Sequence, residues 1–141
     1  MCGSATSSEE IYVLSGSDTV NNFQIAEIEQ LLNAPNYDND SLINPELYSM
    51  IYSLGRDVES EEEYQYALNV LLSLCDRKSQ RVRAKAILAI GLLAVYHKRL
   101  ERERIELIIK KGWAIANEES KATIQDAIDD INHSLNWNMT V

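Results

Sequence analysis

Apolar residues recur at three- and four-residue steps along most of the chain, and that helical period predicts an all-α protein of about six helices. Residues 1–16 are polar and irregular apart from a strand-like patch, Ile11 to Leu14, and are expected to be a flexible N-terminal segment. From residue 17 to residue 141 the pattern reads as one helical domain. Asp18 can cap a first helix carrying Val20, Phe23, Ile25, Ile28, Leu31 and Leu32, which ends near Asn33, before Pro35. The stretch NAPNYDNDSLINP, residues 33–45, has the composition of a loop.

Asn44 caps a second helix with Pro45 at its first position, where a missing N–H costs nothing. Leu47, Met50, Ile51 and Leu54 make its apolar stripe, and Gly55 is expected to end it as a left-handed cap. Ser60 and Glu63 have the spacing of a capping box, and Glu61, Glu62 and Glu63 place negative charge where the helix dipole favours it. The third helix then carries Tyr64, Ala67, Leu68, Leu71, Leu72, Leu74 and Cys75.

The segment SQRVRAKAILAIGLLAVY, residues 79–96, opens with Arg81, Arg83 and Lys85 and has no charge from Ala86 to Tyr96. A helix apolar all round must be surrounded by other helices. It is therefore expected at the centre of the domain, capped by Ser79. Gly91 costs about 1 kcal/mol there relative to alanine, which a closely crossing neighbour would explain. A fifth helix covers roughly 101–116, with Ile105, Ile108, Ile109, Trp113 and Ile115 expected inward and Gly112 as a candidate kink. A sixth starts at Glu118–Ser120 and buries Ile124, Ala127, Ile128, Ile131 and Leu135, leaving Asp126, Asp129 and Asp130 on its other face.

Composition adds limits. The 141 residues are about one domain's worth and can form a core without disulfide or metal. Cys2 and Cys75 make neither a disulfide framework nor a zinc site, and Cys75 reads as a small core residue. MCGSATSSEE lacks the basic and apolar regions of a signal peptide, and 86–96 is far short of the ~20 apolar residues of a spanning helix. The expectation is a soluble cytoplasmic protein without a membrane partner. CGSATSS does resemble the start of a processed bacterial lipoprotein, but the signal that directs such processing is not legible here.

The net charge of −9 is unevenly spread: residues 1–76 carry −13, residues 77–121 carry +7, and residues 122–141 carry −3. An acidic half attracts basic partners and repels nucleic acid. Two basic clusters, Arg77–Lys85 and Lys98–Arg104, could bind phosphate, but the acidic balance and the lack of interleaved aromatics argue against nucleic acid. Pairing within the chain, as of Glu103 and Glu106 with Lys110, is the simpler role for these bases.

Catalytic constellations are not found. His97 and His133 fall on different helices, the glycines are isolated, and no phosphate loop or nucleophile motif is present. Asp130 to His133 has the spacing of a helical di-iron motif, with aspartate in place of glutamate and none of the partner ligands. No catalytic residue, metal site or cofactor is expected.

Sliding the chain by 42 residues puts Val82 on Ile124 and Ala86 on Ile128, a period in the range of helix-pair repeats. With Val82, Arg83, Ala86 and Ile90, the 79–96 segment resembles the inner pattern of HEAT and armadillo repeats over roughly residues 45–136. The resemblance implies a short HEAT-like solenoid, the other architecture being a right-handed α-α bundle. Size, acidity and short helical repeat also resemble the immunity proteins of bacterial toxin–immunity pairs, including contact-dependent growth inhibition systems. That resemblance implies a non-enzymatic antitoxin that blocks a basic cognate toxin, often a nuclease. The alternative is a HEAT-like adaptor or regulatory subunit of a larger complex.

The expected acidic contact strip is Asp57, Glu59, Glu61, Glu62 and Glu63, with Tyr64 and Tyr66 as aromatic anchors. Asp126, Asp129 and Asp130 are the second candidate surface.

Overall fold

A computed structural model describes residues 19–20, 23–34, 40 and 44–141. The six helices found there make an all-α fold: α1 (Ile25–Leu32), α2 (Pro45–Arg56), α3 (Glu61–Leu74), α4 (Gln80–His97), α5 (Arg102–Ala114) and α6 (Glu118–Leu135). The patch Ile11–Leu14 and the cap proposed for Asp18 lie outside the described residues, as do Cys2 and residues 1–16 as a whole.

The first helix starts later than its apolar pattern predicts. Thr19–Val20 pairs antiparallel with Phe23–Gln24, with Val20 opposite Phe23, and α1 begins only at Ile25. Thr, Val and Phe all fit an extended backbone, and no side chain caps α1. Phe23 is buried with its ring 6.4 Å from that of Tyr66.

The other helix starts follow their local signals. Asn44 Oδ1 accepts from Leu47 N at 3.1 Å with Pro45 at the first helical position, Ser60 Oγ accepts from Glu63 N at 3.1 Å, and Ser79 Oγ accepts from Val82 N at 3.1 Å. Asn117 does the same for α6, accepting from Ser120 N at 2.9 Å.

Helix α4 occupies the centre, packing mainly on α6 and α2 and also on α3. Val82, Ala84, Ala86, Ile87, Ala89, Ile90, Leu93 and Ala94 are all buried, so most of its apolar circumference is covered, while Leu88, Leu92 and Val95 are half-buried and Tyr96 is exposed. Burial of each large side chain here contributes about 1.5–3 kcal/mol.

The three helices α2, α4 and α6 run in one direction. Gln80 at the start of α4 accepts from Asn117 N at the start of α6 (2.6 Å), Arg81 stands 3.7 Å from Glu119, and Lys85 lies over the Tyr48 ring of α2. Helix α3 returns against α4: its first turn meets Arg99 just past the end of α4, and the carbonyls of Arg77 and Lys78, in the connection that follows α3, meet Arg83 near the start of α4.

Two glycines set these approaches. Gly91 faces α6, where an added Cβ would stand 3.2 Å from Ala127 Cα, so the close crossing expected from the sequence is present. Gly55 does not end α2. It lies inside the helix, and a Cβ on it would overlap the Ala89 carbonyl of α4 and stand 3.0 Å from Ala89 Cα. Its missing side chain serves helix contact rather than a left-handed cap. Gly112 likewise lies within α5, where its Cβ would meet Ile87 Cδ1 at 2.9 Å.

The helix starts are not evenly spaced by 42 residues. Pro45, Gln80 and Glu118 open α2, α4 and α6 at intervals of 35 and 38, while Glu61 and Arg102 open α3 and α5 at 41. Beyond α6, Asn136 is left-handed and the tail turns back. Asn132 exchanges two hydrogen bonds of 3.0 Å with the Met139 backbone, and Trp137 and Met139 are buried.

Candidate functional site

Most of the acidic strip expected on α3 is engaged within the chain. Glu63 is fully buried, and its carboxylate accepts from Glu59 N at 2.7 Å, closing the helix start from inside. Tyr64 is buried too: its hydroxyl donates to the Arg99 carbonyl at 2.9 Å, and its ring lies under the Arg99 guanidinium and edge-on to His97. Glu63 and Tyr64 thus do not lie on the surface where the strip was expected. The capping requirement and the junction with the end of α4 turn both inward, and neither is available to a partner.

Glu61 is exposed but paired with Arg99, whose hydrogen bond holds its carboxyl below the ordinary range. Asp57 is held by the neighbouring Arg56 in a two-bond fork of 2.7 and 2.8 Å, which lowers its pKa in the same way. Tyr66 is half-buried against Phe23. Within this strip Glu59 and Glu62 are exposed and lie in no ion pair among the described residues.

The second surface is different. Asp126 and Asp129 are exposed on α6, and Asp130 is half-buried one position on. Among the described residues no lysine or arginine lies within ion-pair distance of any of the three; Asp129 accepts only from Gln125, at 2.9 Å. Burial raises the Asp130 pKa, and the charges of Asp126 and Asp129 raise it further, against a smaller pull from His133. These carboxylates repel one another, and among the described residues no lysine or arginine pairs with them to offset it.

The basic residues divide by helical geometry. Arg81 and Lys85, one turn apart on α4, face α2 and α6, where they line a depression of about 280 Å³ with Tyr48 and Glu119. An adjoining depression of about 380 Å³ carries Tyr52 and Arg56 and shares Tyr48 and Lys85. Arg83 points the other way and donates to the Arg77 and Lys78 carbonyls at 2.6 and 2.9 Å, holding the connection between α3 and α4. In the second cluster Arg102 pairs with Glu106 at 2.7 Å, and Lys110, further along α5, stands 3.7 Å from the same carboxylate, whereas no pair of Glu103 with Lys110 is found among the described residues.

Asp40 escaped sequence reading. Its carboxylate accepts from Ser79 Oγ, Gln80 N and Arg81 N at 2.6–3.1 Å, anchoring the loop to the start of α4. Burial alone would raise its pKa, but these bonds outweigh it and leave it lowered. Nothing local marks a contact 39 residues away.

Among the described residues no group of three or more His, Cys, Asp or Glu side chains is arranged to hold a metal ion. Burial pushes the Cys75 thiol up to about 12, so it is not a nucleophile at neutral pH. No helix among those residues is long and apolar enough to cross a membrane. Comparison with family models, curated proteins and solved structures returns no significant match.

Proposed function

We propose that this chain is a non-enzymatic binding protein that takes a basic partner protein on the exposed face of α6 and blocks it, as a cytoplasmic immunity protein blocks its toxin. The observation that carries this reading is the unneutralised carboxylate group of Asp126, Asp129 and Asp130. Its repulsion within the free chain would be relieved by lysines or arginines of a partner. The net charge of −9 adds long-range attraction for the same class of partner. A nuclease fits that class, because a site that binds phosphates is basic. The parallel course of α2, α4 and α6 is compatible with a HEAT-like stack, an architecture suited to binding other macromolecules.

The adaptor reading is favoured by one separate feature, the tyrosine-lined depressions over α2, α4 and α6. Tyr48 and Tyr52 there carry Lys85 and Arg56 at 5.5 and 5.1 Å from their ring centres, a composition common in interface centres.

The test is affinity capture from the native host's lysate, washed at low and then high salt. One basic protein recovered in equal amount, inactive until the complex is split, is the expected outcome. Several large partners would favour the adaptor. No partner at low salt would contradict both readings.

A further inference from the structure

A second surface has the opposite character. Between the end of α3, the start of α4 and the second half of α5 lies a groove of about 340 Å³. That volume is within the range of sites that enclose side chains or small ligands, roughly 300–1,000 Å³. Cys75, Ile108 and Ile115 supply its apolar lining, and Arg77, Arg83 and Lys111 surround it, with Asp76 the only acid.

Ile115 is 62% exposed, as is Leu107 two turns earlier on α5. Of the two, Ile115, just past the end of α5, lines the groove, while Ile105 and Ile109 on the other face of the helix are buried. Arg83 is fixed by two backbone carbonyls, and no carboxylate pairs with Arg83 or Lys111 among the described residues. In a chain of net charge −9, a groove with three bases and one acid is a local reversal of sign.

We infer that this groove docks an acidic amphipathic segment of a partner protein, an apolar side chain entering between Ile108 and Ile115 while flanking carboxylates meet Arg83 and Lys111. Charge complementarity selects an acidic occupant, and the aliphatic lining selects a peptide over a nucleic acid, which would need aromatic faces for its bases. The inference stands apart from the α6 carboxylates and survives their failure.

The probe is a twelve-residue helical peptide with leucines on one face and glutamates elsewhere, added to the ¹⁵N-labelled full chain. Controls are the same peptide with lysines for glutamates and a twelve-nucleotide single strand. Saturable amide shifts confined to Cys75, Gly112, Ala114 and Ile115 are expected with the glutamate peptide and weaken with salt. Ile115→Glu and Lys111→Glu, both at exposed positions, should each lower its affinity at least tenfold with the helical circular dichroism unchanged. Shifts elsewhere, equal binding of the lysine peptide, tighter binding of the oligonucleotide at the same amides, or full affinity in both variants would overturn the inference.

Discussion

Arg99 and Tyr64 hold each other twice: the guanidinium carbon lies 3.9 Å from the centre of the tyrosine ring, and the tyrosine hydroxyl donates to the Arg99 carbonyl at 2.9 Å. With Glu61 paired to the same arginine, this junction ties the first turn of α3 to the residues just beyond α4. Tyr64→Phe removes only the hydroxyl contact and should cost about 1 kcal/mol in urea unfolding. Arg99→Ala keeps the backbone carbonyl and its hydrogen bond but removes the ring contact and the pair with Glu61, and should cost roughly 0.5–2 kcal/mol. Loss of stability no greater than that of a distant surface substitution would show the junction to be dispensable.

Neighbouring glutamates on α3 should separate sharply. Glu63→Ala leaves the Glu59 N–H without its acceptor and should destabilise by about 1–2 kcal/mol, whereas Glu62→Ala should stay within about 0.5 kcal/mol. Simultaneous change of Glu61, Glu62 and Glu63 to glutamine would therefore mix surface charge with helix capping. Glu59→Gln with Glu62→Gln is the cleaner probe of that surface. Equal stability of the two alanine variants would contradict the buried placement of Glu63.

Gly55 and Gly91 should respond differently to alanine, although alanine improves helix propensity by about 1 kcal/mol at both. At Gly55 the new methyl meets the Ala89 backbone, which cannot move aside, and a net loss of about 1–3 kcal/mol is expected. At Gly91 the nearest atom is 3.2 Å away, so the strain is smaller and Gly91→Ala should be much closer to neutral. Thermal unfolding of the two variants gives the comparison; a Gly55→Ala protein more stable than the parent would refute the close crossing of α2 and α4.

Two aspartates should impose opposite pH dependences. Asp40 has a lowered pKa, so its contribution is fully present above its ordinary value of 3.8 and is lost as the pH falls through the lowered one. Asp40→Asn should thus be most harmful at neutral pH and nearly silent in strong acid. Asp130 has a raised pKa, so its charge disfavours the fold at neutral pH, and the penalty disappears as the pH falls toward and below 3.8. Asp130→Asn should be neutral to slightly stabilising at pH 7, by up to about 0.5 kcal/mol, with the difference vanishing in acid. Unfolding curves at several pH values would show either pattern, and parallel curves for parent and variants would reject both.

What was legible in the sequence follows the range of the interactions. The uncharged run of α4 demanded neighbours on all sides because no surface helix can present that face to water, and the caps at Asn44, Ser60 and Ser79 are signals three residues long. Gly55 misled because a glycine after an apolar stripe looks the same whether it ends a helix or admits another backbone. Only the position of Ala89 decides. The acidic strip misled for the same reason: the sequence shows five carboxylates, but Glu61 finds its arginine 38 residues away. The carboxylates of α6 were legible as a surface because the apolar stripe of that helix turns them outward.

The most direct measurement is the association rate of the captured partner with the parent protein and with an Asp126→Asn, Asp129→Asn, Asp130→Asn variant, across a range of salt. The proposed function predicts a variant that folds normally, associates at least tenfold more slowly at low salt, and converges on the parent at high salt. Equal rates at low salt would contradict docking on α6.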